Sequence, residues 1–121
     1  MIVGIGLDVC EISRMEKNLR DDRFLNRYYT EGEITYIRSR GNGAAQTASG
    51  LFAAREALGK ALGGGIDFDL KEAEICHDQK GGPYFRFTGS LAVRTSQEHI
   101  FVSITHDGGV AAAVCIREKD E

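Results

Sequence analysis

The chain has 121 residues, 42% of them hydrophobic and 27% charged, with a formal net charge of −3. That size supports one domain, residues 1–121, with its own core; the composition excludes a disordered chain, and no apolar run approaches the roughly 20 residues of a membrane span. The acidic balance excludes a general nucleic-acid binder, which would need surplus Lys and Arg, and three scattered cysteines without a Cys-x-x-Cys pair indicate neither a disulfide framework nor a zinc site.

In chain order, Ile2 to Gly6 predicts a short buried strand that delivers Asp8 just beyond its end. No basic region precedes it, so an export signal is not expected, and three packed thiols suit a reducing cytoplasm. From Glu11 to Leu19 the positions Ile12, Met15 and Leu19 keep helical spacing, and Phe24, Leu25 and Tyr28 predict a second short helix after Asp21-Asp22. Thr30 followed by Glu33 is a capping box opening a third helix that ends near Gly41. Between Arg14 and Arg40 the cations Arg14, Lys17, Arg20, Arg23, Arg27, Arg38 and Arg40 accumulate, which is either a solvated helix face or a dock for an acidic partner.

Beyond a loop at Gly41-Asn42-Gly43, a long alanine-rich helix is predicted from about Ala45 to Leu62, interrupted by Gly50 and Gly59 and stopped by Gly63-Gly64-Gly65. A glycine inside a helix costs stability and marks close approach of another backbone, so this is the central packed helix. The remainder reads as sheet: Ala73 to Cys76, a turn at Lys80 to Pro83, Tyr84 to Thr88, a short helix within Gly89 to Glu98, then Ile100 to Thr105, a turn at Asp107 to Gly109, and Val110 to Ile116. The class is α+β, a mostly antiparallel sheet on a long central helix rather than a doubly wound parallel one.

Three places gather functional residue types: Asp8 after the first strand, Glu56 with Lys60 one turn apart on the long helix, and His106-Asp107 at the last hairpin. Glu56 and Lys60 either pair with each other or jointly address a third charged object. Asp8 is either a ligand or the cap of the helix starting near Glu11, and His106 either lines a site or turns the chain. Two carboxylates from separate elements suit magnesium, which takes one or two protein carboxylates and completes its shell with water and phosphate oxygens. Lys60 is a compact cation for such a phosphate, and the glycine run offers backbone donors. There is no Walker lysine motif, and Gly4-Ile5-Gly6 lacks the third glycine of a dinucleotide fingerprint.

The order of these pieces resembles the phosphopantetheinyl transferases of the small, single-domain holo-acyl-carrier-protein synthase type. The resemblance runs from Ile2-Val3-Gly4-Ile5-Gly6-Leu7-Asp8 with Glu11-Ile12, through Phe52-Ala53-Ala54-Arg55-Glu56 with Lys60, Ala61 and Gly63, to Val102-Ser103-Ile104-Thr105-His106 with Ala111-Ala112-Ala113. It implies the fold of that family and transfer of the phosphopantetheine arm of coenzyme A to a serine of apo acyl carrier protein in fatty acid biosynthesis. By resemblance, Asp8 and Glu56 hold magnesium, Lys60 contacts a phosphate of coenzyme A, and Gly63, Gly64, Pro83 and His106 line the nucleotide pocket. Asp8, Glu56 and Lys60 form the catalytic set. The resemblance also implies a homotrimer with its site at the cleft between subunits, and an early helix whose Arg14, Arg20, Arg23 and Arg27 dock the acidic carrier protein.

The chain departs from the family pattern at several positions. Leu51 stands where relatives often carry arginine, Arg55 where they carry lysine, Gly82 where they carry lysine, and Asp107 where many carry serine or threonine. A non-catalytic module binding acyl carrier protein or a nucleotide is the competing function. Half of a two-domain transferase, or the terminal domain of a fatty-acid synthase, is a third; Met1 directly before the first strand and the short charged tail favour a free-standing enzyme.

Overall fold

The first strand, β1, runs Ile2–Glu11 in the computed structural model, which describes all of residues 1–121. It therefore does not stop at Gly6, and Asp8 lies within it, opposite Ala113 of the last strand. Nor is it buried on both faces. Ile5, Leu7 and Val9 point outward and are exposed, whereas Gly4, Gly6, Asp8 and Cys10 face the helix layer. The usual pattern of large residues inside is inverted because the inward side has no room: a Cβ at Gly6 would run into the Ala57 carbonyl, and one at Gly4 into that of Ala61.

Three short helices follow: α1, Ile12–Asn18; α2, Asp22–Tyr28; and α3, Glu31–Ser39. Asp21 accepts from the Arg23 amide at 2.9 Å to cap α2. At α3 the capping box forms as expected, Glu33 N–H donating to Thr30 Oγ1 at 3.2 Å and Thr30 N–H to Glu33 Oε1 at 3.0 Å. The N-cap of α1 is Glu11, without a side-chain bond, so Asp8 caps nothing.

After a 3-10 turn at Gly41–Gly43 comes the long helix α4, Ala44–Leu62. It ends at Gly63, whose φ of 94° lets its amide close back onto the Gly59 and Lys60 carbonyls at 3.2 and 3.1 Å. Leu51, Ala54, Leu58 and Ala61 are buried, and the small residues let the helix lie close on the sheet. The glycine at 59 serves another contact, the Gly65 backbone as the chain turns back, where a Cβ would stand 2.7 Å from a carbonyl carbon.

The expected single sheet is two. β2 (Ala73–His77) and β3 (Pro83–Phe87) form a hairpin of their own after a 3-10 turn at Leu70–Glu72. After α5 (Gly89–Arg94), β4 (Glu98–Asp107) and β5 (Val110–Lys119) join β1 in the antiparallel order β1-β5-β4. Gly108 and Gly109, with φ of 58° and 85°, make the two-residue turn between them. The α+β class with antiparallel pairing and a central helix stands, and a single cluster of 17 buried residues lies between α4, the sheets and the short helices. No helix is long and apolar enough to cross a membrane.

Candidate active site

β1 passes under the C-terminal half of α4, and there three of the expected residues meet. Lys60 Nζ donates to Asp8 Oδ1 at 3.0 Å and to the Leu7 carbonyl at 2.9 Å. Of the two fates open to Glu56 and Lys60, the direct pair does not form: Lys60 reaches across to the strand, and Glu56 keeps no hydrogen-bond or ion-pair partner. Burial pushes the Glu56 carboxyl above the usual carboxylate range; the Asp8 charge adds to the shift and Lys60 opposes it. The arrangement is two carboxylates close enough to repel, one half-exposed ammonium, and one acid unsatisfied.

No cluster of three or more His, Cys, Asp or Glu side chains gathers as a closed metal cage. Asp8 and Glu56 offer oxygen donors only, a chemistry that fits magnesium, an ion that keeps waters and takes substrate phosphates. Of the glycine run, the Gly63 amide is committed to the helix cap and is not a free donor.

Beside Glu56 a mostly apolar cavity opens between Tyr28, Phe52, Ile66 and Leu70. Tyr28 and Phe52 also wall a second cavity, which runs to Arg14, Met15 and Phe24. Arg14 thus stands one groove away from the acidic cluster. Arg27 lies 5.4 Å from the Tyr28 ring, Arg20 is exposed, and Arg23 is tied to Asp21 at 3.1 Å while remaining 92% exposed. Arg14 lies on α1, Arg23 and Arg27 on α2, and Arg20 in the connection between them.

His106 is not with them. Its Nε2 lies 2.8 Å from Gln46 Nε2, ten residues up α4 from Glu56, or about 15 Å along the helix axis. It lines a different pocket, which Pro83, Tyr36, Arg40 and His77 share. Asp107 ends β4 opposite Val110, at the hairpin turn.

A family model described as the 4'-phosphopantetheinyl transferase superfamily matches residues 4–115. The chain belongs to that superfamily. A holo-[acyl-carrier-protein] synthase of Treponema denticola is 40% identical over 122 residues, covering 98% of this chain and 99% of its own. The crystal structure of a holo-(acyl-carrier-protein) synthase from Bacillus anthracis in complex with CoA (3',5'-ADP) superposes with a TM-score of 0.84 at 32% identity, covering 99% of each chain. The holo-[acyl-carrier-protein] synthase of Neisseria meningitidis gives 0.88 at 27% identity, with 98% of this chain and 100% of that one covered. The fold is thus that of the 4'-phosphopantetheinyl transferases, an enzyme superfamily.

Two features escaped the sequence. Arg55, set beside Glu56, is 2% exposed and has both ends of its fork taken: Nη1 donates to Glu33 at 2.6 and 2.8 Å and to the Ala73 carbonyl at 3.0 Å, Nη2 to the Tyr28 carbonyl at 2.7 Å. It is a core residue rather than a cation of the pocket. Its place four residues after Leu51 on the buried face was the available signal. The second is the cluster of Tyr36, Arg40 and His77 near His106, which no local pattern marks because its members come from α3 and β2.

Proposed function

We propose that this chain transfers the phosphopantetheine arm of coenzyme A to a serine of apo acyl carrier protein, leaving adenosine 3',5'-bisphosphate, in the service of fatty acid biosynthesis in the cytoplasm. The observation that carries this reading is the meeting of Asp8, Glu56 and Lys60 under the end of α4, in a chain whose relatives bear the name of that activity.

Asp8 and Glu56 would hold the magnesium ion, which when bound draws charge from the diphosphate oxygens and orients them. Lys60, a point cation already beside Asp8, neutralises phosphate charge as the serine oxygen attacks the β-phosphorus and the bond to the bridging oxygen breaks. Glu56, or a water that it orients beside the ion, would take the serine proton. Pro83 and His106 line the nucleotide pocket, and Arg14, Arg20, Arg23 and Arg27 present cations to the acidic carrier protein.

The two half-sites lie apart on one chain, and the outer face of β1 leaves Ile5, Leu7 and Val9 each more than 60% exposed, with Phe101 of β4 at 55%. Such a face seeks a partner. A homotrimer packed through it, with the nucleotide pocket of one copy facing the acidic cluster of the next, accounts for both observations.

The test is incubation with coenzyme A, magnesium and apo carrier protein, read by mass spectrometry. Transfer that is lost with a chelator and with Asp8→Ala is expected. No transfer by the wild type would overturn the function, and transfer undiminished by both treatments would overturn the ligand assignment.

A further inference from the structure

Arg117 stands on the side of β5 that faces the helix layer, where Ala111, Ala113 and Cys115 are buried. It lies opposite Gly4, at the point where the β1–β5 pairing slips between Ile2 and Gly4. Its guanidinium has two tasks. Nε and Nη2 donate to the two oxygens of Glu98, each at 2.7 Å, in a forked pair whose side chains are only 16% and 5% exposed. Those bonds hold the Glu98 carboxyl below the usual carboxylate range, so the pair is charged at neutral pH. Nη1 is left over, and it donates to the Ala61 carbonyl at 2.8 Å.

That carbonyl is one the helix cannot use itself. The last four carbonyls of α4, from Gly59 to Leu62, have no partner within the helix; the Gly63 amide takes those of Gly59 and Lys60, and Arg117 takes that of Ala61. A cation at this end also suits the helix dipole. Room for the contact comes from β1, since a Cβ at Gly4 would overlap the Ala61 oxygen and stand 2.9 Å from Arg117 Nη1. Lys60 immediately precedes Ala61. Its flexible side chain is 54% exposed, so the place its ammonium takes over β1 depends on the backbone turn that carries it.

We propose that Arg117 is a positioning residue for Lys60: by capping the Ala61 carbonyl from β5, it keeps the final turn of α4 wound and the ammonium aimed at the donor's phosphate. This deepens the transferase reading and rests on it for the phosphate. Glu98 steadies the fork.

The experiment removes the cap without stranding a buried charge, by making Arg117→Met in the Glu98→Gln background. Hydrogen exchange of the backbone amides of residues 60 to 63 is followed by NMR, and transfer from coenzyme A to apo carrier protein by mass spectrometry, each with Lys60 present and with Lys60→Met. Glu98→Gln alone is expected to match the wild type in both, because the fork still reaches the carbonyl. Adding Arg117→Met should speed exchange in the last turn about tenfold, the scale of one hydrogen bond to a charged group, and leave Ala53 and Ala54 in the middle of α4 protected. Transfer should fall by a similar factor when Lys60 is present, and not fall further when Lys60 is already Met. Unchanged exchange in the last turn overturns the cap. An equal loss of transfer in both Lys60 backgrounds, or faster exchange along the whole of α4, makes Arg117 a support of the fold at large and overturns the positioning role. Faster exchange confined to the last turn, with no transfer by the wild type, sinks the transferase reading and leaves the hold on the Lys60 turn in place.

Discussion

Arg55 and Glu56 are neighbours on α4, and the molecule treats them in opposite ways. Arg55 points into the core and meets a carboxylate and two carbonyls there, whereas Glu56 faces a cavity with a second acid nearby and no hydrogen-bond or ion-pair partner of its own. The same division recurs on β1, where Leu7 faces outward and Asp8 inward to Lys60. The buried, fully paired Arg55 belongs to the fold, whereas the unpaired Glu56 beside the exposed Asp8–Lys60 pair marks the site.

The sharpest way to break this contrast is at Arg55. Arg55→Met would leave Glu33, 1% exposed, as a buried carboxylate without its cation while still bound to the Thr30 and Ile75 amides. Loss of one partner from such a pair costs about 3–5 kcal/mol, and denaturant unfolding should show it. Adding Glu33→Gln should recover part of the loss, since the stranded charge is then gone. A single variant within about 0.5 kcal/mol of wild type would mean that Arg55 is not structural.

Glu56→Gln should do the reverse. Turnover should fall by about 10²–10³-fold, the scale of removing one preorganised electrostatic contact, while the fold holds. The sign follows from its raised carboxyl. The native state binds the proton more tightly than the unfolded chain, so stability falls as pH rises through the usual carboxylate range and the deficit persists at neutral pH. Removing the charge should therefore leave Tm unchanged or slightly higher, by calorimetry at pH 7. A variant that loses activity and also melts well below wild type would assign Glu56 to the fold.

Leu7 extends the comparison to the assembly. Leu7→Lys puts a charge on the exposed face at 62% exposure, where a folded monomer tolerates it and a packed copy does not. Light scattering should then report a threefold drop in mass, and transfer should fall with it. An unchanged mass would remove this face from the interface.

Much of the local architecture was legible. The Thr30–Glu33 capping box, the stop at Gly63 and the hairpin turn at Gly108 and Gly109 depend on residues within a few positions of one another, and they appear where the sequence places them. The extent of β1 did not, because its hydrogen bonds belong to β5 at the far end of the chain, and because the apolar side that looks like core faces outward. The site divided along the same line. The motifs fix Asp8, Glu56 and Lys60, but the choice of Asp8 over Glu56 as the lysine's partner came from helix-on-sheet packing across 52 residues. Arg55 with Glu33, and Tyr36 with His77, are likewise pairs that only the folded chain assembles.

The smallest expected effect tests that choice of partner. With Lys60 seated on Asp8 Oδ1 and the Leu7 carbonyl, a divalent ion at Asp8 competes with an ammonium for the same carboxylate. Because Lys60 is 54% exposed and Asp8 21%, the pair is weakly held and the competition modest. Lys60→Met should then bind manganese, read by electron paramagnetic resonance without nucleotide, about three- to tenfold more tightly, the effect of removing about 1 kcal/mol of pairing and repulsion. The same variant should bind coenzyme A more weakly, since the ammonium no longer meets its phosphate. A fall in manganese affinity would mean that Lys60 holds Asp8 in place for the ion rather than standing in for it, and the amine would then count with the satisfied charges of the fold.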